Sequence, residues 1–94
     1  MQRAEVTVLN RLGLHARPSA QLTRLAGKFR SEVWITGKGR RVNAKSIMGV
    51  MMLAAGRGTR LEVEAQGGDE VEALAAICAM FASAFDEDKE SDSP

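Results

Sequence analysis

RLEVEAQGGDEVEALAAICAMF, residues 60–81, changes its hydrophobic period from two to about 3.6 within a few residues. Leu61, Val63 and Ala65 alternate with Arg60, Glu62 and Glu64, the pattern of a strand with one buried and one solvated face. Gly67-Gly68-Asp69 reads as a turn, with Asp69 as the N-cap of a following helix. In that helix Val71, Leu74, Cys78, Phe81 and Phe85 form the expected apolar stripe. A strand with one polar face needs cover on one side only. That points to an antiparallel sheet with helices on a single face.

The remaining chain repeats the theme. Ala4, Val6 and Val8 oppose Glu5, Thr7 and Leu9 in a first strand. Val33 and Ile35 oppose Glu32, Trp34 and Thr36 in a second, and the turn Gly37-Lys38-Gly39 leads into a third at Arg40–Asn43. Between the first two, Ala16, Ala20, Leu22, Leu25, Ala26 and Phe29 share one face of a helix, with Arg17, Gln21, Arg24 and Lys28 on the other. Ser46 suits the N-cap of a short helix, Ile47 to Leu53, which Gly56 to Thr59 closes. The order β-α-β-β-α-β-α defines an α+β open-faced β-sandwich, a four-stranded antiparallel sheet covered on one side by three helices. The domain is expected to fill residues 1–85. The remainder, 86–94 (DEDKESDSP), is acidic with nothing to bury and reads as a disordered tail.

Composition narrows the function. At 94 residues, 45% hydrophobic and 27% charged, the chain is one globular domain. It holds no apolar run long enough to span a bilayer, and MQRAEVTVLN lacks the pattern of a signal peptide. Cys78 is the single cysteine, so no internal disulfide forms and a reducing cytoplasm fits. It falls on an apolar stripe, as a buried thiol does. One His and one Cys argue against a transition-metal site.

A net charge of +1 conceals an asymmetry. Residues 1–60 hold twelve Lys and Arg against Glu5 and Glu32, whereas residues 61–94 hold ten Asp and Glu against Lys89. A basic half invites an acidic protein or a nucleic acid. Trp34 and three Phe are the only aromatics, few platforms for stacking single-stranded bases, so an acidic protein partner is favoured.

The one histidine, His15, lies in GLHARPSA, residues 13–20, where a strand and loop give way to a helix. Pro18 falls in the first helical turn, where a missing N–H costs little. No Ser, Thr, Asp or Asn stands at the start to cap the first amides, so Ala16, Arg17 and Pro18 outline a helix N-terminus suited to a phosphate. Arg17 can pair with the same oxygens. The positive helix end and the guanidinium both stabilise a phosphoryl group once it is attached to the nucleophilic ring. The same residues also allow a plainer arrangement, a surface histidine whose ring is bonded to a nearby carbonyl.

GLHARPSA resembles the active-site segment of the HPr family, the histidine-containing phosphocarriers of the bacterial phosphoenolpyruvate-dependent phosphotransferase system. NAKSIMGVMML, residues 43–53, resembles that family's second signature. The likeness covers about residues 3–85. It implies that His15 accepts a phosphoryl group on Nδ1 from phospho-enzyme I and passes it to a histidine of an enzyme IIA protein or domain, with Arg17 steadying the phosphoryl oxygens. It implies a carrier without metal or cofactor, not an enzyme. It also implies phosphorylation of Ser46 by HPr kinase/phosphorylase in hosts that possess that enzyme. Sugar-uptake and nitrogen-related branches share the active-site segment, and the sequence does not separate them.

The second helix is apolar nearly all round and cannot bury every side chain against a one-sided sheet. Ile47, Met48 and Met51 are expected to stay exposed as a partner-docking patch, with Val50 and Leu53 in the core. Arg24, Lys45 and Lys28 would supply a charged rim for acidic partners. Beyond that patch no exposed seam is evident, and a monomer is expected. A regulatory module that binds through residues 47–51 without transferring phosphate is the alternative. A nucleic-acid binder built on Trp34 is a weaker one. GRRVNAKS, residues 39–46, is one residue from a P-loop, but a P-loop needs a parallel sheet that this chain is too short to build.

Overall fold

The computed structural model describes residues 1–86. Its elements are β1 (Gln2–Thr7), α1 (Ala16–Ala26), β2 (Glu32–Gly37), β3 (Arg40–Asn43), α2 (Ile47–Met52), β4 (Arg60–Gln66) and α3 (Glu70–Ala82), followed by a 3₁₀ turn at Ala84–Asp86. The expected tail, apart from Asp86, lies outside the described residues.

The four strands form one sheet in the order β1-β4-β2-β3, every neighbouring pair antiparallel. Val6 pairs with Leu61, Ile35 with both Val63 and Val42, and Val33 with Ala65. These residues line the covered face and are buried together with Leu22 and Ala26 of α1, Val50 of α2, and Ala73, Ile77 and Phe81 of α3. The expected architecture is the one observed.

The β2–β3 turn is a two-residue loop, with Gly37 paired to Arg40 and positive φ at both Lys38 (53°) and Gly39 (75°). That is the type I′ geometry whose twist matches the flanking strands.

Four details depart from the sequence reading. Helix α1 ends at Ala26 rather than Phe29, because Lys28 and Phe29 donate to Leu25 and Ala26 in a tighter final turn. In α3 Ala73, Ile77 and Phe81 are buried and the expected Leu74 and Cys78 pack against the core only partly buried, while Val71 is 58% exposed. This helix is apolar on most sides, so its pattern alone does not choose between neighbouring stripes; the packing does. Phe85 still reaches the core, through left-handed backbone at residues 84–86, and meets Phe81 edge-on with centroids 5.0 Å apart. Glu64 points to the open face as expected yet is only 7% exposed. In register between Arg3 and Trp34, it accepts ion pairs from Arg3 (3.3 Å) and Arg41 (3.4 Å).

Asp69 is the N-cap residue of α3, as expected, and the fourth departure lies in its side chain. Its side chain makes no bond to its own helix. One carboxylate oxygen accepts the amide of Arg30 (2.9 Å), the other the amide (2.9 Å) and hydroxyl (2.5 Å) of Ser31. Ser31 is fully buried, so its polar groups need partners, and Asp69 supplies them. These bonds hold the Asp69 carboxyl well below its usual range, at about 2.

Candidate phosphoryl site and docking face

His15 is the N-cap residue of α1, in extended backbone (φ −80°, ψ −169°), and its own side chain makes no cap bond. The first turn contains no acidic residue. His15 is half-buried, Ala16 and Arg17 are exposed, and Pro18 is buried. The helix begins regularly, with the Ser19 amide donating to the His15 carbonyl at 3.0 Å. The buried Ser19 hydroxyl donates to the carbonyl of Leu14 at 3.1 Å. Amides at the head of an α-helix point past its end, and with no acidic side chain in this turn the dipole favours an incoming anion.

The loop before His15 is held by residues far along the chain. Leu14 donates its amide to the Ala55 carbonyl at 2.9 Å, and the Asn10 side chain donates to the Gly13 carbonyl at 2.6 Å. Val8 bonds to Thr59 and Gly58 on either side of the same junction. Gly13 has φ +71°, and a Cβ there would stand 2.4 Å from the Ala55 carbonyl oxygen. Only glycine fits this approach.

Helix α2 lies against α1 and β3. The Lys45 ammonium, just before α2, donates to the Phe29 carbonyl just past the end of α1, at 2.9 Å. Past the other end of α2, Ala55 meets Leu14 just before α1. The two helices therefore run in opposed directions, with Ser46 and His15 at opposite ends of the pair. An 11-residue helix spans about 16 Å, which sets Ser46 well apart from His15.

Ser46 caps α2 by accepting the Gly49 amide at 3.1 Å. Ile47, Met48 (68% exposed) and Met51 reach solvent, whereas Val50 and Leu53 are buried. Met52 and Leu12 (65% exposed) also stand out, and the sequence reading missed both. The all-apolar character of α2 could have flagged Met52. Leu12 lies in a loop where no periodicity applies. Arg24 is exposed in the last turn of α1 and lines a shallow groove with Gln21, Leu25, Lys28 and Met80. Lys45 instead has its ammonium on a backbone carbonyl, which makes it a tie between helices.

Trp34 lies on the open sheet face with the Arg41 guanidinium 4.2 Å from its ring centroid. The cation already covers one ring face, which leaves less of it for base stacking. Cys78 is partly buried, and desolvation pushes its thiol pKa up, away from a reactive thiolate. No helix among the described residues is long and apolar enough to cross a membrane.

Fold and site together define a small open-faced sandwich that presents one histidine at the head of a helix, beside a methionine-rich face. Residues 2–83 match the family model described as the phosphotransferase-system HPr component phosphorylation site. The chain is 54% identical to the phosphocarrier protein HPr of Cupriavidus necator, over 93% of this chain and 98% of that protein. It is 44% identical to the phosphocarrier protein NPr of Escherichia coli, over 88% of this chain and 93% of that one. The crystal structure of HPr-C-His from Thermoanaerobacter tengcongensis superposes with a TM-score of 0.87 at 40% identity, covering 90% of this chain and 96% of that one. A structure described as an HPr dimer from the same organism gives 0.72, also at 40% identity, covering 90% and 98%. This chain belongs to the HPr family of phosphocarrier proteins.

Proposed function

We propose that His15 is the phosphoryl acceptor and that the protein carries the group from phospho-enzyme I to a histidine of an enzyme IIA protein or domain. The observation that carries this reading is the position of His15 as N-cap of α1, with no cap bond from its own side chain and no acid in the turn behind it. The lone pair of Nδ1 attacks phosphorus, the bond from phosphorus to the donor breaks, and the donor atom keeps that electron pair. The helix end, from Ala16 to Pro18, and the Arg17 guanidinium stabilise the oxygens of the group in transit. A junction on the surface suits a group that must be both loaded and discharged.

Docking falls to the face of α2, with Ile47, Met48 and Met51 as adaptable apolar contacts and Arg24 on the charged rim. Ser46 is the regulatory position in hosts with HPr kinase/phosphorylase. Its phosphate sits where a partner must seat, remote from His15, so it weakens docking rather than chemistry. The carrier works as a monomer, its docking face open to each partner in turn.

The test is incubation with enzyme I, Mg²⁺ and phosphoenolpyruvate, followed by intact-mass measurement, with His15→Ala alongside. One acid-labile phosphoryl adduct, absent from the variant, supports the reading. A folded protein that gains none with enzyme I from the same organism returns the case to a regulatory module that docks through residues 47–51. The likeness to a protein named NPr keeps the nitrogen branch in view beside the sugar branch. Offering the loaded protein to an enzyme IIA of each branch and comparing rates decides between them.

A further inference from the structure

Resting on the carrier reading, we propose that Lys38 is a positioning residue for His15 and acts through the backbone turn at Ala54. Lys38 lies at the tip of the β2–β3 turn, and its ammonium donates to the Ala54 carbonyl at 2.8 Å. Ala54 follows the end of α2 with φ +48°, a left-handed conformation that a residue with a Cβ adopts at a cost. Such backbone persists where its surroundings hold it, and the Lys38 ammonium is a hold from outside the segment. The next residue, Ala55, is buried, and its carbonyl takes the Leu14 amide at 2.9 Å. Gly13 packs on that same carbonyl, closer than any side chain would permit.

Lys38, Ala54, Ala55, Leu14 and His15 therefore form one mechanical line. Its first link is a charge-assisted hydrogen bond, among the stronger single contacts available at a surface. Without that link the left-handed turn loses its outside anchor, and the Ala55 carbonyl drifts from Leu14. The imidazole then starts each encounter from a broader range of orientations. Phosphoryl transfer depends on in-line placement of the attacking nitrogen, so the cost falls on the rate of transfer more than on binding.

The experiment compares the wild type with Lys38→Met and Lys38→Arg. The first readout is amide hydrogen exchange at Leu14, which involves no phosphoryl chemistry. In Lys38→Met it should rise roughly tenfold, with the Val63 amide of the central strand β4 unchanged. The second is the kinetics of phosphorylation by enzyme I with this protein as substrate: kcat should fall roughly threefold to tenfold at constant KM. Lys38→Arg, which keeps a cationic donor, should restore both. Unchanged Leu14 exchange in Lys38→Met overturns the proposal. So does a raised KM at constant kcat, which would make Lys38 a docking contact. A wild-type protein that takes no phosphoryl group fails the carrier reading, and is told apart because Leu14 exchange still reports whether the line holds.

Discussion

The amide of Leu14 donates to the carbonyl of Ala55 across 2.9 Å, tying the residue before His15 to the segment that follows α2. Through this bond the backbone beside the histidine is tied to the far half of the chain. Gly13, packed on the same carbonyl, makes the contact possible.

Gly13→Ala is therefore expected to be costly. A methyl group would meet the Ala55 oxygen at 2.4 Å in backbone that already has φ +71°. A loss of about 2–4 kcal/mol is expected, strain and displacement together. Urea denaturation measures it, and phosphoryl acceptance should fall in the same variant because the loop before His15 must shift.

Ser46→Ala and Ser46→Asp should separate the structural from the regulatory role of this residue. Alanine removes the bond to the Gly49 amide and should cost about 1 kcal/mol of stability, with transfer from enzyme I little changed. Aspartate keeps a capping oxygen and adds charge at the edge of the apolar face, so stability should hold while KM for enzyme I rises. Equal KM values for Ser46→Asp and the wild type would remove the regulatory reading.

Met48 makes the cleanest probe of the docking face. At 68% exposure it contributes little to the core, so Met48→Asp should shift stability by about 0.5 kcal/mol or less. Binding to enzyme I, followed by calorimetry, should weaken by roughly tenfold or more, because a charge would be desolvated against an apolar contact.

Asp69 predicts an acid limb in the stability profile. Its carboxyl is held at about 2 in the folded protein, below the ordinary 3.8, chiefly by the Ser31 hydroxyl and the Arg30 amide. A depressed folded value gives stability that is fully present above pH 4 and is lost as pH falls toward 2. Asp69→Asn should be less stable at neutral pH and should flatten that limb. A pH series of thermal melts on both proteins reads the difference directly.

Ala54→Gly should stabilise the protein, by up to about 1 kcal/mol, since glycine accepts the left-handed backbone that alanine holds at φ +48°. The greater freedom of glycine in the unfolded chain offsets part of that gain. Chemical denaturation checks the sign.

Much of this was legible beforehand because the relevant physics is local. Alternation in residues 60–66 and 32–37 reports a half-buried strand wherever the chain sits, and Ser46 caps its helix through a residue three positions away. His15 was singled out by residue type and by its place before an uncapped helix. Leu12 was not, since an exposed loop residue leaves no periodic trace. Asp69 stands at the N-cap as read, but the partner of its side chain was hidden for a related reason. A carboxylate before a helix has a ready local partner, and only the arrival of buried Ser31 beside it diverts the bond.

By itself, then, the order of residues determined the strands, the helices, their sequence along the chain and the place of its one histidine before a helix. The tertiary structure alone decided which stripe of α3 faces inward, that Glu64 is buried between arginines, and that Lys38 and Ala55 stand behind His15. The first set depends on contacts within a few residues, where propensity and periodicity act. The second depends on segments that meet only after the sheet has closed, and no short window of sequence contains both partners.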